Sequence, residues 1–489
     1  MGAEPGSAIA ELELGPPKRL AVGRGTAFAV GGYAYVPGQR TSQLTIEVGP
    51  DRRRIGRLRL PRDDVYGRQE SVGAAPEAYR SGFVGLVEIA PIETPERRTM
   101  ELVLGLEGGR EARATVGEVE LEPDLRSPVV SSAPTWPGSG ARVAICMATY
   151  EPPAALLRRQ LDSLREQTHD NWICLISDDA SSDSAFEYLL AETEGDPRFA
   201  VYRSESRLGF YRNFERALSM TPPEADFVTL CDQDDHWLPE KLARLLAAIG
   251  GAQLAYSDAR VVSPEDEVVE PSYWTERSNN YKNFGSLLLA NSVTGAASLF
   301  RRELLDDALP FPPRLADAAF HDHWLAMVAR ARGEIAYVDE PLWDYVQHDR
   351  TVIGHSRANK RPRSIRRHLI ERLRNPTGGS RAVYYYDWQQ QVLFGEVLRL
   401  RCWDRMTAQK RRTLRRLLSA DRGVAGLSWL LVRRARRLWG RDETLDRELF
   451  YSYALLRRRA VSLWTAGCRR PNRLLPRDES IPTDSDRAA

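Results

Sequence analysis

From Leu12 to about Leu121 apolar and polar residues alternate in short pieces, Leu44-Thr45-Ile46-Glu47-Val48 and Met100-Glu101-Leu102-Val103-Leu104 among them, with Gly and Pro between. A period of two, broken by turn signals such as Glu107-Gly108-Gly109-Arg110, predicts an all-β sandwich over residues 12–125. A Ser-, Pro- and Gly-rich stretch then marks a linker, 126–140. Beyond it the rhythm changes. Val143 to Met147 reads as a strand, Leu157, Leu161 and Leu164 as one helical face, and Trp172 to Ile176 as a second strand. Further strands are predicted at Phe199–Tyr202, Phe227–Cys231, Gln253–Tyr256, Ala296–Phe300 and Ile335–Val338. Apolar strands alternating with helices predict a Rossmann-like α/β domain over 141–355, its sheet mainly parallel and covered on both faces.

Residues 356–470 read as a basic amphipathic helical region and 471–489 as a polar, disordered tail. Leu414, Leu417 and Leu418, then Leu427, Leu430, Leu431 and Leu438, are spaced as apolar stripes, interleaved with Trp429 and Trp439. The formal net charge of +2 conceals an asymmetry, since 356–470 holds roughly 20 more basic than acidic side chains and the remainder is correspondingly acidic. Basic faces opposite Leu/Trp stripes suit helices lying on an anionic membrane surface. The rival is packing against the acidic remainder, and no nucleic-acid partner is expected. Five Cys, three of them inside apolar runs, behave as small hydrophobes and predict a reducing cytoplasm. Met1 to Pro16 has no apolar core, which predicts no export signal. The longest apolar run, Val424 to Val432, is far below the roughly 20 residues a spanning helix needs. The expected location is the cytoplasm, peripheral at the inner face of the plasma membrane.

The candidate chemistry begins at Phe227-Val228-Thr229-Leu230-Cys231-Asp232-Gln233-Asp234-Asp235-His236-Trp237, an apolar strand that ends in three carboxylates. A buried strand delivering Asp-x-Asp to its carboxyl end puts oxygen ligands where an open α/β sheet binds ligands, which suits a hard divalent ion held with a phosphate. The spacing lacks the Gly and distal Glu of a calcium loop. Other motifs fall at or beyond the ends of predicted strands. These are Thr149-Tyr150-Glu151-Pro152, Asp178-Asp179-Ala180-Ser181, Arg207 to Asn213, Asn291-Ser292-Val293-Thr294-Gly295, His321-Asp322-His323-Trp324 and Gln347-His348.

Together these motifs resemble the family 2 glycosyltransferases of GT-A fold, most closely the bacterial rhamnosyltransferase-like branch that builds surface polysaccharides. The resemblance covers roughly residues 140–355. It implies that Thr149, Tyr150, Asp178 and Asp179 hold the nucleoside, that Asp232 lies near ribose and metal, and that Asp234 ligates a Mg²⁺ or Mn²⁺ ion. It further implies Asp322 as the general base of an inverting transfer, with weaker roles for His348 at the metal or diphosphate and Arg207 at phosphate. The partners implied are a dTDP- or UDP-sugar donor, rhamnose from dTDP-rhamnose being the best guess, and a polysaccharide or lipid-linked glycan acceptor. Two departures stand out: Glu151-Pro152 replaces the usual Asn after Thr-Tyr, and His321 precedes the base where many relatives carry Glu.

Plainer readings compete. Asp178-Asp179 followed by Ser181 and Ser182 also describes a helix-capping loop, and Asp322 also fits the N-cap of the helix that follows it, whose dipole lowers a carboxyl pKa. Trp237, Trp324 and Phe320 beside the acidic motifs read as either an acceptor platform or core, with core favoured for Trp324. The sandwich reads as Ig-like or carbohydrate-binding-like. A catalytically silent glycan- or nucleotide-sugar-binding protein is the alternative to an enzyme.

Overall fold

The computed structural model describes residues 7–22, 26–55, 57–60, 62, 65–66, 76–123, 134–274, 279–315, 319–347, 383–421, 424–435, 444 and 446–467. His348, Leu438, Trp439, the segment 356–382 and the tail 471–489 lie outside them.

Two sheets form the N-terminal sandwich. One holds β1 (Ile9–Leu14), β3 (Thr26–Tyr35), β7 (Gly82–Ile89) and β6 (Arg57–Leu60), in that spatial order. The other runs β2 (Arg19–Val22), β9 (Glu111–Pro123), β8 (Glu96–Leu106), β4 (Thr41–Val48) and β5 (Asp51–Arg54). Phe28, Val30 and Val87 of the first sheet meet Ile46, Val48, Leu102 and Leu104 of the second in one apolar core, as period-two patterning requires. Gly108 and Gly109 turn β8 into β9 at φ 87° and 79°, angles that a side chain resists, so Leu106 N–H can reach Arg110 O at 2.8 Å.

The second sheet system has the order β12 (Phe199–Arg203), β11 (Trp172–Asp178), β10 (Val143–Thr149), β13 (Phe227–Cys231), β17 (Ser298–Arg301), β15 (Leu254–Val262), β18 (Ile335–Val346) and β14 (His236–Trp237), with β16 (Val268–Glu270) paired to β15. The first four are parallel, as predicted. Beyond β13 the sheet is mixed: β17 runs antiparallel to both neighbours, while β18 returns parallel to β15. Apolar runs report burial on both faces, not strand direction, so this half could not be read from hydropathy. Helices α1 (Ala154–Arg165), α2 (Asp183–Thr193), α3 (Phe210–Ser219), α4 (Lys241–Ile249) and α5 (His321–Arg332) cover the sheet. Leu157, Leu161 and Leu164 of α1 are fully buried, on the single face that their spacing predicts. Parallel pairing aligns Thr149 with Asp178 and Met147 with Cys231, so the acidic motifs emerge at one edge.

Four C-terminal helices follow: α6 (Gln389–Cys402), α7 (Ala408–Ser419), α8 (Val424–Arg434) and α9 (Arg447–Gly467). Leu414, Leu417, Leu427 and Leu430 face inward and join the core of the α/β domain, so these stripe residues meet protein rather than lipid. Several of the basic side chains likewise pair within the protein. Arg401 Nη1 donates to the carbonyls of Asp307, Ala308 and Pro310 at 3.2, 3.1 and 2.9 Å. Lys410 Nζ donates to Gly333 O at 2.8 Å, Arg405 pairs with Asp307 at 3.3 Å, and Arg433 donates to Ser286 Oγ. Helix α6 also packs on β3 of the sandwich, and its Arg399 pairs with Glu88 of the neighbouring β7 at 2.8 Å. What stays outward is Val424, Leu431 and Val432 on α8 and Tyr453 and Leu456 on α9.

Leu417→Ala in lipid-free protein is expected to lower unfolding stability by about 2–5 kcal/mol, read from the denaturant midpoint. An unchanged midpoint would mean that the stripe does not pack inward.

Candidate active site

The loops after β10 and β11 are laced together through Glu151, one of the two departures, and through Ser181 and Ser182. Glu151 and Ala180 adopt φ of 42° and 58°, a left-handed conformation that costs a non-glycine residue energy and persists only where surrounding contacts enforce it. The contacts are present. Glu151 N–H donates to Ser181 Oγ at 2.9 Å, while Ser182 N–H and Oγ donate to the two Glu151 carboxylate oxygens at 2.6 and 3.0 Å.

Asp178 and Asp179 are buried and shape the backbone. Thr149 Oγ1 and Ser181 Oγ donate to Asp178 Oδ1 at 3.0 and 2.6 Å, and Ser181 N–H to Oδ2 at 3.0 Å. Asp179 accepts the N–H groups of Leu208 and Gly209 at 2.7 and 2.8 Å, just ahead of α3, with Gly209 at φ 80°. Thr149 O in turn accepts from Asn213 Nδ2 at 3.1 Å. Thr149, Asp178 and Asp179 lie at 1 % exposure or less and hold these loops in place through the bonds above, and neither aspartate caps α2, whose N-cap Ser182 has no side-chain cap bond.

Tyr150 and Arg207 lie together at the surface. The Arg207 guanidinium lies 3.9 Å from the centre of the exposed Tyr150 ring. The middle residue of Asp-x-Asp, to which the sequence reading gave no role, ties this loop to the acidic one. Gln233 Oε1 accepts from Tyr150 N–H at 2.8 Å, and Gln233 Nε2 donates to Tyr150 O at 3.2 Å.

Asp232, Asp234 and Asp322 come together. Burial, then the negative charges of Asp234 and Asp322, push the Asp232 pKa up to about 7. Asp235, buried at the base of the cluster, is driven well above the usual carboxylate range by burial and by Asp232 and Asp234. Its Oδ1 accepts from Val346 N–H at 3.4 Å, while Oδ2 has no hydrogen-bond partner. Beneath lies Lys241, fully buried, its ammonium nitrogen 3.1 Å from the centre of the Trp237 ring and donating to Ala296 O. Burial holds its pKa well below normal against the pull of Cys231, Asp235 and Asp232. Trp237 and Trp324 are both completely buried, so neither offers a platform; Phe320 stacks on Phe210 with centroids 5.5 Å apart.

Asp322 sits in the first turn of α5. Burial raises its pKa to about 7, outweighing the N–H groups of His323 and Gly295 and the Asn291 side chain, all of which donate to it. Helix position alone predicted the opposite sign. The Asn291–Gly295 motif is thus the cradle of Asp322, and a Cβ added at Gly295 would stand 3.1 Å from His321 Nε2. His321 itself stacks on Phe214 at 4.1 Å, and burial together with Arg314 lowers its pKa to about 3. It serves as a neutral aromatic wall rather than a second acid–base group.

Among the described residues no three His, Cys, Asp or Glu side chains converge as a ready-made metal cage. The donors still fit a hard divalent ion, because Mg²⁺-type ions take one or two carboxylates and complete their shell with phosphate and water. The crowding that raises Asp232 is what such an ion relieves.

Two measurements test this geometry. Asp178→Ala is expected to cost about 1–3 kcal/mol of stability, because three donors lose their acceptor; a residue that only held nucleoside would leave the melting temperature unchanged. Asp322→Asn is expected to raise the melting temperature at pH 8 and to matter little near pH 4. A folded pKa raised from 3.8 to about 7 contributes stability below the unfolded value that is lost as pH climbs through 7.

The family model described as Glycosyl transferase family 2 matches residues 144–309. A putative glycosyltransferase, EpsH, of Bacillus subtilis (strain 168) is 25% identical over 223 residues, 43% of this chain and 62% of that protein. The succinoglycan biosynthesis protein ExoW of Rhizobium meliloti (strain 1021) is 30% identical over 104 residues, 21% of this chain and 32% of that one. This chain spans less than two thirds of the length of either relative. Among solved structures, S. aureus TarS 1-349 in complex with UDP-GlcNAc has 16% identity and a TM-score of 0.36, covering 65% of this chain and 92% of that one. The mannosyltransferase PcManGT from Pyrobaculum calidifontis, in complex with GDP-Man and Mn²⁺, has 19% identity and a TM-score of 0.34, covering 69% and 91%. The family match and the sheet order carry the assignment, and the superpositions add nothing to it. Residues 144–309 are similar to the family 2 glycosyltransferases, within an α/β domain set between an N-terminal β-sandwich and a C-terminal helical layer.

Proposed function

We propose that this protein is an inverting, metal-dependent glycosyltransferase that moves a sugar from a nucleotide-diphosphate donor, dTDP-rhamnose being the leading candidate, to a polysaccharide or lipid-linked glycan. The observation that carries the reading is the convergence of Asp232, Asp234 and Asp322 at one sheet edge, with Asp322 at a pKa of about 7. A side chain so tuned is half ionised near neutrality, where a general base works best.

The donor's nucleoside is placed on the β10–β11 side, against Tyr150 and Arg207, with its diphosphate toward Asp232 and Asp234. Those two carboxylates would hold the divalent ion, which supplies charge neutralisation for the departing diphosphate. Asp322 takes the acceptor hydroxyl's proton as that oxygen bonds to the anomeric carbon from the opposite face. The bond to the diphosphate breaks with its electron pair, so the anomeric configuration inverts. Exposed Val424, Leu431 and Val432 on α8, with Tyr453 and Leu456 on α9, form the face assigned to peripheral contact with an anionic bilayer. Co-sedimentation with anionic vesicles that survives Val424→Glu/Val432→Glu would remove that assignment.

A thermal-shift screen of dTDP- and UDP-sugars with Mn²⁺ is expected to find a stabilising donor whose effect disappears in Asp234→Ala, since a ligand that binds only the folded state raises its melting point. Asp322→Asn is expected to keep donor binding but slow transfer by about 10²–10⁴-fold. The wild-type rate should rise with pH as Asp322 deprotonates, toward a plateau above about pH 7, or lower once a bound cation holds the carboxylate ionised. Transfer that survives both substitutions would overturn the reading.

A further inference from the structure

The carboxylates of the site come from segments far apart in the chain, and one buried side chain joins those segments. Asp232 and Asp234 follow β13, whereas Asp322 is held by Asn291 and Gly295. A Cβ built on Gly295 would stand 3.2 Å from Leu230 Cδ1 of β13 and 3.5 Å from Asp322 Cβ, so this cradle is wedged between the acidic strand and the base. The turn is closed on itself. Ser298 N–H and Oγ donate to Gly295 O at 3.0 and 2.7 Å, and Ala297 N–H donates to Thr294 O at 3.2 Å. The next carbonyl, Ala296 O, accepts from Lys241 Nζ.

Lys241 stands on a fixed corner. It opens α4 just beyond Trp237, with its own N–H on Leu238 O at 3.0 Å, and Trp237 N–H donates to Ser163 Oγ of α1 at 3.1 Å. Gln167 spans the same corner, Nε2 donating to Leu238 O at 2.9 Å and Oε1 accepting from Leu242 N–H at 3.1 Å. The Lys241 nitrogen lies between two buried rings, 3.1 Å from the centre of Trp237 and 5.9 Å from that of Trp343. A methionine would fill this space without desolvating an amine. What the nitrogen adds is its bond to the carbonyl one residue past Gly295, which ties the cradle of Asp322 to the helix that starts beside the Asp-x-Asp loop.

We propose that Lys241 is a positioning residue, a strap that holds the cradle of residues 291–296, and with it Asp322, in register with the Asp232–Asp234 edge. This rests on the glycosyltransferase reading for the reaction served, but the strap itself can be measured without turnover. Full-chain wild type and Lys241→Met are compared by melting temperature, by calorimetric titration of UDP and dTDP with Mn²⁺, by amide hydrogen exchange, and by kcat and KM for consumption of dTDP-rhamnose and UDP-glucose. Lys241→Leu repeats the set with a second apolar shape.

Lys241→Met is expected to melt close to the wild type, because easier burial of an apolar chain offsets the bond that Ala296 O loses, and to bind nucleotide with Mn²⁺ within about twofold of wild type. Its kcat is expected to fall about 10–100-fold at unchanged donor KM, since a base displaced by a fraction of an ångström misses the productive geometry. Amides of residues 291–298 are expected to exchange about tenfold faster while those of the sandwich do not change. A lysine that only supported the fold would lower the melting temperature and leave kcat alone in protein still folded at the assay temperature. Folded variants with wild-type kcat and exchange, a loss of nucleotide binding in step with kcat, or unfolding of both variants overturns the strap. A wild type that binds neither nucleotide and consumes neither donor removes the glycosyltransferase reading instead, and exchange of 291–298 then decides the strap by itself.

Discussion

Asp232, Asp234, Asp235 and Asp322 bring like charges to a partly dry rim of one sheet, and most of what surrounds them answers the cost of doing so. Desolvation, joined by like-charge repulsion at Asp232 and Asp235, raises the pKa values of Asp232, Asp235 and Asp322. The fold tempers this with dipoles rather than with exposed cations. Gly295, His323 and Asn291 donate to Asp322, and the one ammonium beneath the cluster, Lys241, is itself so buried that its charge is disfavoured. The result is a basin of negative potential that a hard cation with a phosphate would fill, with little nearby positive charge to compete for it.

How much of this could be read in advance depended on what hydropathy encodes. Strand and helix alternation from Val143 onward was legible because Leu157, Leu161 and Leu164 must share a face and because β10, β11 and β13 are mostly apolar. The reversed strand β17 was not, since burial carries no direction. Asp232, Asp234 and Asp322 could be picked out because short acidic side chains at strand ends have few structural uses. The roles of Gln233, Asn291 and Glu151 could not, even though the last two fall inside motifs that stood out, because amides and lone carboxylates are common on surfaces and reveal their work only through hydrogen bonds. The C-terminal stripes were visible as stripes, yet a stripe does not say whether protein or lipid covers it. Here Leu417 and Leu430 are covered by the chain's own core.

The site divides at the acidic strand. On the β10–β12 side, backbone strain at Glu151 and Ala180 is held by Ser181 and Ser182, so the loops arrive preformed. On the β15–β18 side Asp258 does the equivalent for Tyr273 and Trp274. Loops pinned in this way need less ordering when a ligand binds, leaving more of the contact energy to appear as affinity or rate.

Helix α6 touches the sandwich through β3 and Arg399–Glu88 while its other side is built into the α/β domain. That makes it a cross-brace. A hinge at the Pro-rich connection would have to tear this brace loose, so the cleft's breathing falls to its own rim loops, and the sandwich travels with the catalytic domain as a fixed outrigger rather than swinging over it as a lid.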